Sequence, residues 1–272
     1  KSAVSKRISG LEAHLGVKLL QRSTRKLSLT EAGERYYKHA VQALRFAKDA
    51  ENAATELQDV PSGTLRISAP MSFGRLHIAP IIPLFLKQYS QIQINMDMND
   101  VSSDVIAEGF DIAIRGGNLP DSSLIARKLA PLHSVLCASP EYIAKRGRPV
   151  TPEELVHHNC LLYTFHTTLN EWIFHKNGEE NHVRISGNYQ VNNSEALYES
   201  LLQGLGIGRL PTFVAGNAIR AGKLIPLLTD YSLPQQALYA VFPEKQYMPE
   251  KVRVFIDFLV TKLGDKTPHW DR

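Results

Sequence analysis

The sequence is poor in cysteine, methionine and tryptophan, and it has no long apolar run. Two cysteines in 272 residues exclude a disulfide-stapled scaffold, and the separation of Cys137 from Cys160 does not suit a zinc site. Both lie in apolar surroundings and are expected to be reduced, buried thiols of a cytoplasmic protein, a redox-sensing pair being the sharper alternative. The densest apolar stretch, residues 77–86, is interrupted by Pro80 and Pro83 and falls short of the ~18 residues a membrane helix needs. The basic start is not followed by the apolar stretch of a secretory signal.

Catalytic signatures are missing too. There is no Gly-x-Ser-x-Gly elbow, no His-Glu-x-x-His and no Walker loop. The glycines of residues 204–208 follow a helical pattern and precede a strand, the reverse of the order that aims N–H groups at a pyrophosphate. His157 and His158 are adjacent, so their rings diverge and are read as surface histidines rather than metal ligands. No nucleophile, base and oxyanion site can be assembled. The expectation is no enzyme, no metal and no cofactor.

What is present is an uneven distribution of charge. Residues 1–30 carry a net +6 and residues 31–272 a net −2, although the whole chain is only +4. A small cationic head on a nearly neutral body makes nucleic acid the first partner to consider. Val4, Ile8, Leu11 and Leu15 form one helical face that ends at Gly16, while Ser2, Ser5, Lys6 and Ser9 lie on the other. Short hydroxyls and a cation suit phosphates and base edges. The apolar face needs partner helices that the next residues do not supply, so preceding helices are expected. Residues 24–30 alternate as a short hairpin with a basic tip, which fits the wing of a winged helix-turn-helix and equally a solvated basic edge.

Thr30 is placed to cap a helix over residues 31–58. Within it Tyr36, Ala40, Ala43, Ala47, Ala50, Ala54 and Leu57 step by four and three, an alanine-rich heptad seam. A dimer linker is favoured over a core helix, because no globular sequence surrounds it before Val60-Pro61-Ser62-Gly63. From residue 64 strand and helix patterns alternate, predicting α/β lobes with parallel sheets. Strands are expected over residues 64–69, 91–98, 111–115, 133–138, 161–164, 171–175, 183–186, 207–210 and 237–242. Helices are expected over 73–89, with Pro80 and Pro83 kinking it or marking its first turns, and over 102–108, 194–202 and 249–263. Three polar strand-to-helix junctions stand out: Pro70 to Gly74, with Ser72 and Phe73; Asn99 to Asp104; and Val191 to Glu195, with Asn192, Asn193 and Ser194. Helix starts favour a carboxylate or phosphate, and Arg115 adds a full charge nearby. Each serine or asparagine taken singly reads equally well as an N-cap.

Taken together, residues 2–33, 65–74, 109–115, 121–127, 137–142 and 204–208 resemble LysR-type transcriptional regulators, the first of these segments matching the recognition helix and wing. The resemblance implies a partial winged helix-turn-helix over 1–30, a dimerising linker helix over 31–60 and a hinge at 61–63. An effector domain like the periplasmic binding proteins follows over 64–272. Its lobe I is expected over about 64–132 and 237–263, and its lobe II over about 133–236. Carried across by position, Ser2, Ala3, Ser5 and Lys6 face the major groove, Arg25 reaches the minor groove, and Arg22 holds phosphate or the wing. Ser72, Ser102 and the turn of Asn192, Asn193 and Ser194 fall where the family meets its effector; Phe73, Arg115 and Gly206 complete the candidate set. Implied partners are double-stranded DNA, a small organic anion and further copies of the chain as a dimer or tetramer. The cysteines do not match the family's peroxide-sensing pair. The alternative is a ligand-binding receptor without specific DNA binding.

Overall fold

The computed structural model describes residues 3–22, 27–55, 60–100, 105–117, 119, 124–164, 170–243, 248–264 and 267–272. It contains two compact units, residues 1–60 with 104–109, and residues 61–103 with 110–272.

In the first unit, α1 (Ala3–Leu15) ends at Gly16, whose φ of 71° is the expected left-handed stop. A tight antiparallel hairpin follows, β1 (Leu20–Arg22) with β2 (Leu27–Leu29), and then α2 (Glu31–Thr55). Thr30 caps α2 as its sequence position suggested: its Oγ1 accepts from Gly33 N–H at 2.9 Å and donates to the Lys18 carbonyl at 2.6 Å. Gly33 lies so close to the hairpin that a Cβ there would stand 2.0 Å from the Leu19 carbonyl oxygen. Residues 56–58, the end of the expected helix, lie outside the described residues.

Two five-stranded sheets organise the second unit. In chain order its elements begin with β3 (Gly63–Ala69), α3 (Met71–Phe73), a π-helical stretch Gly74–Ile78 and α4 (Ile82–Gln88). After these come β4 (Ile92–Met98), α5 (Val105–Glu108), which groups with the first unit, β5 (Ile112–Gly116) and β6 (Leu124–Leu132). The chain then passes to β7 (Ser134–Ala138), α6 (Pro140–Arg146), β8 (Cys160–Tyr163) and the hairpin β9 (Glu171–Lys176) with β10 (Glu179–Arg184). Next are β11 (Gln190–Val191), α7 (Ser194–Leu202), β12 (Ile207–Pro211), α8 (Thr212–Arg220) and β13 (Ile225–Pro226). Finally β14 (Gln236–Pro243) rejoins the first sheet, followed by α9 (Glu250–Leu263) and a 3-10 turn, His269–Asp271.

The sheet orders are β4-β3-β5-β14-β6 and β11-β8-β12-β7-β13. The expectation of purely parallel sheets is corrected. β3, β4, β5 and β6 point one way with β14 running against them between β5 and β6, and β8, β11, β12 and β13 point one way with β7 running against them between β12 and β13. The physical reason is the crossing: β6 leads through His133 straight into β7, and β14 returns beside β6 with Gln236 opposite Leu132. β6 itself was not anticipated. As an edge strand with exposed residues and Pro131 it lacks a buried strand's alternation. α6 and α8 were missed as well. The helix expected over 73–89 is interrupted around Pro80, which has no N–H to donate, and α4 restarts with Pro83 in its first turn, the kink and first-turn roles its prolines suggested.

The first sheet packs Leu65, Ile67, Ile112 and Ile114 against Phe85, Phe255 and Leu259 of α4 and α9. The second buries both faces: Trp172 and Phe174 of the hairpin cover one, Leu197, Leu201 and Ala215 of α7 and α8 the other. Cys137 and Cys160 are free and buried in it, and burial pushes both thiols up to about 12. These are inert side chains, as expected.

Candidate functional site

On α1, Ala3 and Lys6 are exposed and Ser5 half-buried, so the polar face is open as the sequence suggested. Val4 of the apolar face is also 64% exposed. Ser2 and Arg25 lie outside the described residues; for Arg22, only its place at the end of β1 opposite Leu27 is described. The residue that fixes α1 on the hairpin was not singled out by sequence. Glu12 is buried, and its carboxylate accepts from Lys18 Nζ at 3.0 Å and from the N–H groups of Leu19 and Leu20 at 3.0 and 3.2 Å. The Lys18 ammonium, aided by these amides, holds its pKa down at about 2.

In the second unit, residues from both sheets meet at the C-terminal ends of their parallel strands. After β3, Ser72 is buried and the N–H of Met71 donates to Asp100 Oδ1 at 2.8 Å. Burial raises the Asp100 pKa, and the Met71 N–H partly opposes that shift. From the other sheet, Asn193 caps α7: its Oδ1 accepts from the N–H groups of Glu195 and Ala196, both at 3.0 Å. Its amide nitrogen remains free to face Ser72 Oγ at 3.4 Å. Ser194 is buried beside it, whereas Asn192 is exposed. At the end of β8, burial together with the Asp100 charge raises the Tyr163 pKa and keeps the phenol protonated. One turn after Ser72, Arg75 donates from Nε to Glu195 Oε2 at 3.0 Å, with a second bond between Nη2 and Oε1. A second link joins His77 to α8, its Nε2 3.4 Å from the Phe213 carbonyl oxygen.

The structure thus brings Ser72, Asn193 and Ser194 together. Arg115 lies at the end of β5 and donates from Nη1 to Ser68 Oγ at 3.1 Å and to the Ile114 carbonyl oxygen at 3.2 Å. Ser102 lies outside the described residues. Phe73 is fully buried, stacked on His77 and edge-on to Phe213 and Trp270 at 5.1 and 5.5 Å, which makes it a packing residue. Gly206 requires a correction. It precedes β12 at the opposite end from this junction, and a Cβ there would stand 2.2 Å from the Asn159 carbonyl oxygen. Its glycine answers a close backbone approach. Asp100 and Glu195 fall in two of the polar junctions the sequence singled out, whereas Tyr163 and Arg75 were not among the candidates: only the fold shows which strand ends face one another. Among the described residues, no group of three or more His, Cys, Asp or Glu side chains could hold a metal ion.

Residues 58–264 match the family model described as LysR substrate binding domain, and residues 1–34 the one described as bacterial regulatory helix-turn-helix protein, lysR family. The chain belongs to the LysR family. The regulator is 36% identical over 264 residues to the HTH-type transcriptional regulator PtxR of Pseudomonas aeruginosa, covering 97% of this chain and 85% of PtxR. It is 37% identical over 265 residues to CrgA of Neisseria meningitidis serogroup C, covering 97% and 88%. Among solved structures, full-length AphB, the Vibrio cholerae virulence activator, superposes with a TM-score of 0.71 at 33% identity, covering 95% of this chain and 88% of that one. CrgA superposes at 0.68 and 37% identity, covering 97% and 90%. A helix-turn-helix and an effector-binding domain in one chain make this a ligand-responsive, DNA-binding transcriptional regulator, and they favour that reading over a receptor without DNA binding. No described helix is long and apolar enough to cross a membrane.

Proposed function

We propose that this cytoplasmic, non-catalytic regulator senses a small organic anion held between two lobes of residues 64–272. Lobe I spans about 64–132 and 237–263 and lobe II about 133–236; residues 61–63 form the hinge to a linker helix over 31–60. The observation that carries the reading is the approach of Asn193 Nδ2 to Ser72 Oγ at 3.4 Å. Two side chains from different sheets present a donor and a hydroxyl to one point, at the positive end of the α7 dipole. That arrangement suits a carboxylate. Ser102 and Asn192 extend the same surface by sequence position. A ligand shifts the lobes only by binding one arrangement better than the other.

DNA is read by Ser2, Ala3, Ser5 and Lys6, with Arg22 and Arg25 on the backbone or in the minor groove. Copies pair through α2 into dimers, and dimers into a tetramer. Ser72→Ala is expected to weaken the effector response about tenfold, the worth of one charge-assisted hydrogen bond, with operator affinity of the unliganded protein unchanged in fluorescence anisotropy. Equal loss of both would refute the placement. The effector itself is sought by thermal-shift screening of carboxylated metabolites, because a ligand raises stability by mass action.

A further inference from the structure

Where the chain crosses between the two sheets there is a cavity that nothing in the preceding account uses. Its volume is about 300 Å³, at the lower end of the range of small-molecule sites and enough for one ring with a short substituent. Leu132, Leu136, Phe174, Leu227 and Leu228 line it and are buried, while Tyr231 and Leu233 of its wall are half-buried. Thr229, Ser232 and Gln235 also line it and are exposed, so they mark its mouth. The cavity thus opens into one end of the apolar cluster that Leu136, Phe174, Leu227 and Leu228 share with the hairpin β9–β10. Phe174 and Tyr231 stand edge-on with their ring centres 6.3 Å apart.

The wall is held in place by the backbone. Leu227 N–H donates to the Leu136 carbonyl at 2.8 Å, and Tyr231 N–H to the Leu228 carbonyl at 2.9 Å. Ser232 and His175 exchange two bonds, of 2.9 and 2.8 Å, so the loop from Leu227 to Ser232 is tied to β7 at one end and to β9 at the other. Within that loop Leu228 has a φ of 50°, a left-handed conformation that costs a leucine energy and concentrates at ligand sites. The Lys176 ammonium, 4.3 Å from the centre of the Tyr231 ring, adds a cation–π contact to the wall. No Asp, Glu, Lys or Arg lines the cavity, and the one lining histidine, His133, has its Nδ1 2.8 Å from Asp271 Oδ2. An ion entering here would shed water and meet no opposite charge. Ser134 is different: it is half-buried in the lining, and its hydroxyl has no hydrogen-bond partner among the described residues.

We propose that this cavity is a second ligand site, for a small neutral molecule made of one aromatic ring and one hydroxyl, a monocyclic phenol. The ring fills the space among Phe174, Leu227, Leu228 and Tyr231, where two aromatic side chains at right angles offer it both a face and an edge. The hydroxyl bonds to that of Ser134, which gains the partner it lacks. The site shares no lining residue with the Ser72–Asn193 junction. Its lining includes His133, on the crossing from β6 to β7, and Pro234 and Gln235, on the crossing into β14. A ligand here touches both segments that join the sheets, and it favours whichever arrangement of them fits it better.

The test is isothermal titration calorimetry of the full chain with phenol, para-cresol and para-ethylphenol. At least one is expected to bind with one molecule per chain, and saturating para-toluate, the anion of similar shape, is expected not to displace it. Ser134→Ala should weaken that binding about fivefold, the worth of one neutral hydrogen bond. Leu233→Trp, which adds bulk to a half-buried wall, should abolish it, and Ser72→Ala should leave it unchanged. The proposal is overturned if none of the three phenols binds or if para-toluate displaces the one that does. Wild-type affinity in Ser134→Ala or in folded Leu233→Trp, or weakened binding in Ser72→Ala, would overturn it as well. Should Leu233→Trp fail to fold, Ser134→Ala decides, because removing one hydroxyl from a half-buried wall leaves the core intact.

Discussion

Glu12 and Gly33 show how single residues decide the shape of the first unit. A carboxylate on the recognition helix would ordinarily oppose DNA, but this one is turned inward to satisfy two hairpin N–H groups and Lys18. Its pKa is held at about 2 against an ordinary 4.5, so its stabilisation is complete above pH 4.5 and lost as pH falls toward 2. Acid titration followed by circular dichroism of residues 1–60 should show unfolding across that window, absent in Glu12→Gln, which is less stable at neutral pH. Gly33 has no room for a side chain, and the nearest atom is backbone rather than a yielding side chain. Gly33→Ala is expected to cost about 3 kcal/mol and to displace α2 from the hairpin. An unchanged urea midpoint would contradict this. Neither role was legible in sequence. A buried glutamate and an exposed one look alike until the hairpin closes over it.

At the scale of elements, the C-terminal turn joins parts that lie far apart in the chain. Trp270 packs with Phe73 and His77 from the start of the first sheet's helical segment, while Arg220 of α8 donates to the Trp270 and Arg272 carbonyl oxygens at 3.2 and 2.6 Å. His77 is central to this cluster. Burial, with His269 adding repulsion and the Phe213 carbonyl opposing, lowers its pKa from 6.5 to about 4. The fold therefore favours the neutral ring: the contribution is whole above pH 6.5 and declines as pH falls toward 4. His77→Phe should lower the midpoint less than wild type does between pH 7 and 5, measured in one buffer series. Parallel curves would refute it. The strands and α7 were legible here because their apolar spacing repeats, and Asn193 was recognisable as a cap. The break in helix 73–89 was signalled by its prolines, but the edge strand β6 was hidden by its exposed sequence.

At the scale of the whole molecule, α2 leaves apolar surface uncovered. Tyr37 and Leu44 are 60% and 73% exposed, and Tyr36, Ala43 and Ala47 of the expected seam are exposed as well. Ala43→Asp places a charge in that seam and should shift sedimentation toward monomer by at least tenfold in dissociation constant. A wild-type profile would remove α2 from the interface.

The sequence by itself determined the family, the α/β class, the basic DNA-facing head, the inert thiols and the three residues that meet at the junction, Ser72, Asn193 and Ser194. These follow from local spacing, capping and composition, which the chain carries wherever it folds. Only the tertiary structure decided that both sheets are mixed, that Gly206 serves a backbone approach far from the junction, and that Arg75 meets Glu195. It also placed the Arg209 side chain in the interior of the second sheet. Such facts depend on which strand ends and sheet faces are brought together, and that is set by long-range pairing between segments whose sequences contain no trace of one another.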